Sequence, residues 1–189
     1  MSDHLQARYA ASLPPIRAHL LSGVLAFTQA ACRILGVARI ALIGSLTTNK
    51  PQPKDADMLV TIADDADLAL LAAQGRKLRG HAQTRNHGGE VFLANPQGSY
   101  LGRTCPWKLC APGVRMSCDA LHCGWRPFLH DDLGAIKLRR ALIAEPPIEL
   151  WPQVVARVSP PQDVEALLLA PLREQSIRST TEPTSMRLP

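Results

Sequence analysis

The sequence predicts an α/β (α+β) chain, with a mixed sheet flanked by helices. Two observations point there. Apolar residues change from helical steps of three and four to short continuous runs and back, in the order helix, strand, strand, helix, strands, helix. Apolar residues at 46%, charged residues at 20% and a mean hydropathy of -0.02 suit a chain that folds around a core. A length of 189 residues suits one ordinary domain with an appendage. The expected division is one domain over 1–145, a helical extension over 146–175, and a disordered tail over 176–189, where Ser, Thr, Pro, Arg and Glu dominate.

Each element has its own signal. Pro14 and Pro15 open a segment with Ile16, Leu20, Val24, Phe27, Ala31 and Ile34 on one face, and Gly36 stops it, which predicts an amphipathic helix. Val37 to Ile43 is short, apolar and rich in β-branched residues, as a buried strand should be. A polar loop, Leu46 to Lys54, leads to a second buried strand at Met58 to Ile62. Asp64 or Asp65 then caps a helix with Leu68, Leu71 and Leu78. Val91–Ala94 and Tyr100–Arg103 read as strands joined by an Asn-Pro-Gln-Gly turn, and 116–123 as another strand. Leu133, Ile136, Leu138 and Leu142 predict a helix over 131–144, ended by Pro146 and Pro147. Ser159, Pro160 and Pro161 start a last helix, reaching about Gln175.

Composition excludes some functions. Aromatics are 4% of residues, too few for the stacking platforms of a single-strand binder. The longest apolar stretch, Ile16 to Leu35, is interrupted by Arg17, His19, Gln29 and Arg33, so it lacks the uninterrupted run of about 20 residues that a span needs. No membrane association is expected. Residues 1–8 lack the cationic and apolar pattern of a secretory leader, so a cytoplasmic location with reduced cysteines is expected. Charge is uneven: residues 76–140 carry eleven Lys/Arg against four Asp/Glu. That stretch is the part suited to an anion.

The chemistry concentrates in Leu42-Ile43-Gly44-Ser45, a loop, and Asp55-Ala56-Asp57-Met58. Alternation on a strand sends Asp55 and Asp57 to one face, with Cα atoms about 7 Å apart. Two such carboxylates repel, and a hard cation such as Mg2+ relieves them. Gly44 leaves room where backbone must approach an anion, and Ser45 adds a hydroxyl and an N–H.

These residues resemble the motif of the polymerase-beta-like nucleotidyltransferase superfamily, in which an apolar strand and Gly-Ser are followed, after a loop, by Asp-x-Asp on the neighbouring strand. The resemblance is close over 38–60 and loose to about Arg140. It implies that Gly44 and Ser45 hold the outer phosphates of an NTP and that Asp55 and Asp57 bind two Mg2+ ions. It also implies a third metal-binding carboxylate. Asp119, set in an apolar strand, is favoured for that place over Glu90, which opens a strand after Gly88 and Gly89. Lys54 and Arg115 are candidate phosphate-binding cations, and Arg103, Lys108 and Arg126 lie near the third carboxylate in sequence. The implied activity is Mg2+-dependent transfer of a nucleoside monophosphate from an NTP to an acceptor hydroxyl, with release of pyrophosphate. The acceptor is open between tRNA, a protein hydroxyl and a small molecule. The alternative is a non-catalytic module that binds RNA or a protein partner through the basic middle region. A second cluster, Cys105, Cys110, Cys118 and Cys123, has enough thiols for a structural Zn2+, although it lacks a CxxC knuckle.

Overall fold

The computed structural model describes residues 15–110 and 126–181. Elements run α1 (Pro15–Ala31), β1 (Val37–Ile43), a 3-10 turn (Gly44–Thr47), β2 (Asp55–Ile62), α2 (Leu68–Gln83), β3 (Gly88–Ala94) and β4 (Tyr100–Thr104). They continue with β5 (Leu129–His130), α3 (Arg140–Ala144), β6 (Ile148–Trp151), β7 (Val155–Ala156), α4 (Gln162–Val164), a π turn (Glu165–Leu169) and α5 (Ala170–Thr181). The strands form one mixed sheet in the order β5-β4-β3-β2-β1-β6-β7. β2 and β3 are parallel, because α2 crosses over between them, and the other described neighbours are antiparallel. The expected α+β architecture is the one observed.

Alternation divides the sheet into two faces. Ile40 and Leu42 of β1, Met58 and Val60 of β2 and Leu93 of β3 bury against α1, α2 and the C-terminal helical stretch, whose anchors include Leu21, Leu71 and Leu168. Burial of such side chains is worth about 1.5–3 kcal/mol each. The opposite face has a smaller cluster, in which Ala41, Ile43, Leu59 and Ala94 meet Ile143 of α3. Arg39 ties α3 there: it donates to the carbonyls of Ile143 and Ala144 and to Thr61 Oγ1. No helix among the described residues is long and apolar enough to cross a membrane.

Several elements depart from the sequence pattern. The helix expected over 131–144 shrinks to Arg140–Ala144. Asp131 and Asp132 are buried, and Asp132 is held by Tyr100 and Arg103 of β4, so this stretch serves the sheet edge instead of opening a helix. β6 and β7 have no counterpart in the prediction, which places a helical extension in 146–175, yet β6 pairs directly with β1. α2 is capped by Asp67, whose carboxylate accepts the Leu70 N–H at 3.0 Å, in place of Asp64 or Asp65. α5 runs on to Thr181, past Ser176, because extending an anchored helix costs far less than starting one. The strand expected at 116–123 lies outside the described residues.

Candidate functional site

β1 ends at Ile43, and Gly44 turns the chain with φ of +73°, a conformation costly for any residue with a Cβ. The turn is pinned locally. Thr47 Oγ1 donates to the Gly44 carbonyl at 2.8 Å and Thr48 Oγ1 to that of Ser45 at 2.9 Å. Leu46, fully buried, anchors the turn in the core while Gly44 stays exposed.

Ile43 is paired with Asp57 across β1 and β2, which brings the Gly44 bend beside that carboxylate. A Cβ built on Gly44 would lie 2.2 Å from Asp57 Oδ2, so a side chain there would displace the carboxylate. Asp55 leans the other way: a Cβ on Gly88, its partner on β3, would lie 2.1 Å from Asp55 Oδ1. Two glycines thus make room for the two acids, one on each side of β2. Between them Ala56 points to the core and is fully buried.

Glu90 is in register with Asp57 on the parallel neighbour β3. Three acids therefore stand on adjacent strands, but their surroundings differ. Glu90 pairs with Arg103 at 2.9 Å and lies 3.9 Å from Arg79. Arg103 also pairs with Asp132, whose other oxygen accepts the Tyr100 hydroxyl at 2.7 Å. Burial alone would lower the Arg103 pKa, and Glu90 and Asp132 more than reverse that. Burial and the bond to Asp132 hold the Tyr100 phenol well above its usual range. Among the described residues, no basic side chain pairs with Asp55 or Asp57. Burial, then Asp55, then Glu90 push the Asp57 carboxyl up to about 6.

Residues 2–108, more than half of the chain, match DUF6932, a family of unknown function. The chain belongs to that family. No curated protein and no solved structure matches it. The DUF6932 stretch contains the Gly44 bend, the Asp pair, Glu90 and Arg103, whereas Asp132 lies beyond it.

The sequence-predicted residues fall into three groups. Gly44, Ser45, Asp55 and Asp57 are brought together within the DUF6932 stretch, Ser45 as part of the 3-10 turn. Lys54 has an exposed side chain, and its carbonyl accepts the Gly88 N–H at 3.2 Å, fastening the start of β2 to that of β3. Arg115, Asp119, Cys118 and Cys123 lie outside the described residues. Arg126 donates to the carbonyls of Ala63 and Asp64, at the end of β2 opposite the Asp pair, so it is not a phosphate cation of this site. Cys105 is buried, its N–H bonds the Phe128 carbonyl at 2.7 Å, and the Phe128 N–H donates to Cys110 Sγ at 3.2 Å. Both thiols thus border Phe128. Asp132 and Tyr100 are site neighbours that the sequence reading misses. Their signal would have been Arg103, a cation on a half-buried strand that needs acids close by.

Among the described residues, no three His, Cys, Asp or Glu side chains converge as a complete metal set. A Mg2+ site needs less, because that ion keeps several waters and takes one or two carboxylates plus phosphate oxygens. Asp55 and Asp57 fit such an ion: both offer hard oxygen donors, and the proton affinity of Asp57 is raised first by burial and then by the charges of Asp55 and Glu90, which no described cation beside Asp57 offsets.

Proposed function

We propose that the chain is a Mg2+-dependent nucleotidyltransferase, moving a nucleoside monophosphate from an NTP to an acceptor hydroxyl. The supporting observation is a half-buried pair of acids on the central strand, without a basic partner among the described residues, one of them pressed against a glycine bend. Asp55 and Asp57 would hold the metal. Such an ion neutralises phosphate charge and polarises the phosphoryl oxygens. Gly44, exposed and without a side chain, leaves the backbone open to the outer phosphates beside Asp57, and Ser45 offers its N–H and hydroxyl. The acceptor oxygen bonds to the α-phosphorus as the α–β bridging bond breaks. Pyrophosphate leaves with the electron pair, and the acceptor proton passes to water. Glu90, in register with Asp57, is already paired with Arg103, so the third carboxylate that the resemblance implies would be Asp119, which lies outside the described residues.

Calorimetry with Mg2+ and each NTP tests this directly. Wild type should bind at least one NTP, and Asp55→Asn/Asp57→Asn should lose about 100-fold or more in affinity. Equal affinity in both would discard the reading. Incubation with α-labelled NTPs and cell lysate, followed by size separation, would identify the acceptor class among tRNA, protein and small molecule.

A second reading, a non-catalytic module for RNA or a protein partner, is favoured by α2. That helix carries Arg76, Lys77 and Arg79 and no acid from Leu68 to Gln83. RNA binding that is steeply salt-dependent and survives the double Asp variant would favour it.

A further inference from the structure

We infer that Arg17, with Asp163 as its fixed counter-charge, positions the loop that joins the glycine bend to the Asp pair. The inference rests on the reading of that loop as the phosphate side of a nucleotide site. Arg17 comes from α1 and Asp163 from α4, and they are 4% and 3% exposed. The guanidinium grips the carboxylate as a fork: Nε bonds Oδ2, and Nη2 bonds Oδ1 at 3.0 Å. Two further bonds go to backbone carbonyls. Nη1 bonds the Lys50 carbonyl at 2.7 Å, and Nη2 also reaches the Leu46 carbonyl at 3.3 Å.

One rigid plane therefore holds two backbone carbonyls, four residues apart, of a loop whose residues 48–52 are otherwise exposed. The hydroxyls of Thr47 and Thr48 donate within the turn, Thr48 Oγ1 also accepts the Lys50 N–H at 3.3 Å, and Leu46 is the near anchor. Beyond Leu46, the Arg17 bond to the Lys50 carbonyl ties the exposed middle of the loop to the core, ahead of the buried Pro53 and of Lys54, whose carbonyl accepts the Gly88 N–H. Burying a guanidinium is unfavourable unless a carboxylate compensates it, so the loop grip depends on Asp163 staying in place. A lysine could not replace it, because an ammonium has neither the fork nor the planar spread of donors. Arg17 lies inside the DUF6932 match and Asp163 well outside it. The C-terminal helical stretch thus takes part in the site without touching it.

Hydrogen exchange on the full chain tests the clamp. Asp163→Asn keeps shape and removes the charge; it should speed exchange of amides in 46–54 about tenfold and leave β2 and β3 amides unchanged. Arg17→Gln should do the same or more, and Arg17→Lys should restore only part of the protection. Unchanged exchange in 46–54, or an equal rise across the sheet, would overturn the inference. A second measurement separates it from the nucleotide reading. Asp163→Asn should weaken a Mg2+-bound non-hydrolysable NTP analogue about tenfold while Mn2+ alone binds as in wild type. If Asp163→Asn weakens both equally, the loop has no positioning role. If wild type binds neither probe, the nucleotide reading fails, and the exchange result alone judges the clamp.

Discussion

Two groups of acids lie near one another, one on β2 and one spanning β3 and the segment after β5, and they are solved in opposite ways. Glu90 and Asp132 are clasped by Arg103, with Tyr100 completing the second carboxylate. Asp55 and Asp57 are fitted against glycines instead of cations, and Asp57 holds its proton up to about pH 6. The first arrangement is what a fold does with charge that it must keep. The second leaves repulsion in place, which a fold tolerates where a ligand is to supply the opposite charge. Perturbing the two groups should therefore give effects of opposite sign.

The largest effect should come from Arg103→Met. It leaves Glu90 and Asp132 facing each other with no shared cation, and Asp132 is buried. A loss of about 3 kcal/mol in urea denaturation is expected, since the charge left behind is poorly solvated. Little or no loss would mean that the network is a surface ornament and that the contrast with the Asp pair is false.

Asp57→Asn should do the reverse. The folded pKa of about 6 lies above the reference value of 3.8, so the native state binds more protons between those two pH values. Stability of the wild type then falls as pH rises from 4 to 6, and above that range the penalty is fully present. The amide should stabilise the metal-free protein by about 2 kcal/mol at pH 7 and by nearly nothing at pH 4. Thermal melts across that range check it. Added Mg2+ should raise the wild-type midpoint and leave the variant unmoved. A stabilisation independent of pH would show that ionised Asp57 is not the source.

How much of this was legible follows from which signals are local. Gly44-Ser45 and Asp55-Ala56-Asp57 are contiguous, and the apolar runs on both sides place them on strands. The helix from Pro15 and the one with Leu68, Leu71 and Leu78 show their period within themselves. Glu90's place opposite Asp57 is different, because it depends on the parallel pairing that the α2 crossover imposes, and no spacing along the chain encodes that register. β6 fails for another reason: Ile148–Trp151 is four residues long and lies close to prolines on both sides, so its alternation is too short to compete with the breakers. Asp132 hides within a stretch whose leucines and isoleucine fall at helical steps, and its tertiary bonds to β4 override that pattern.

The smallest change, Tyr100→Phe, sharpens the comparison most cleanly. It removes one hydroxyl from the clasped group and leaves the ion pair between Arg103 and Asp132 intact. One hydrogen bond to a carboxylate is worth about 1.5 kcal/mol, and the phenyl ring keeps the packing with Phe92. The phenol's pKa is raised by its burial and by that bond, so it stays a donor throughout ordinary solution conditions. Its loss should therefore cost the same at pH 6 as at pH 9, in contrast to Asp57→Asn, whose effect is set by pH. Divalent-ion affinity should be unaffected, because Tyr100 bonds the compensated acids and not the Asp pair. A Tyr100→Phe effect that tracks pH as Asp57→Asn does would show that the two groups titrate as one, and their separation into structural and ligand-facing charge would fail.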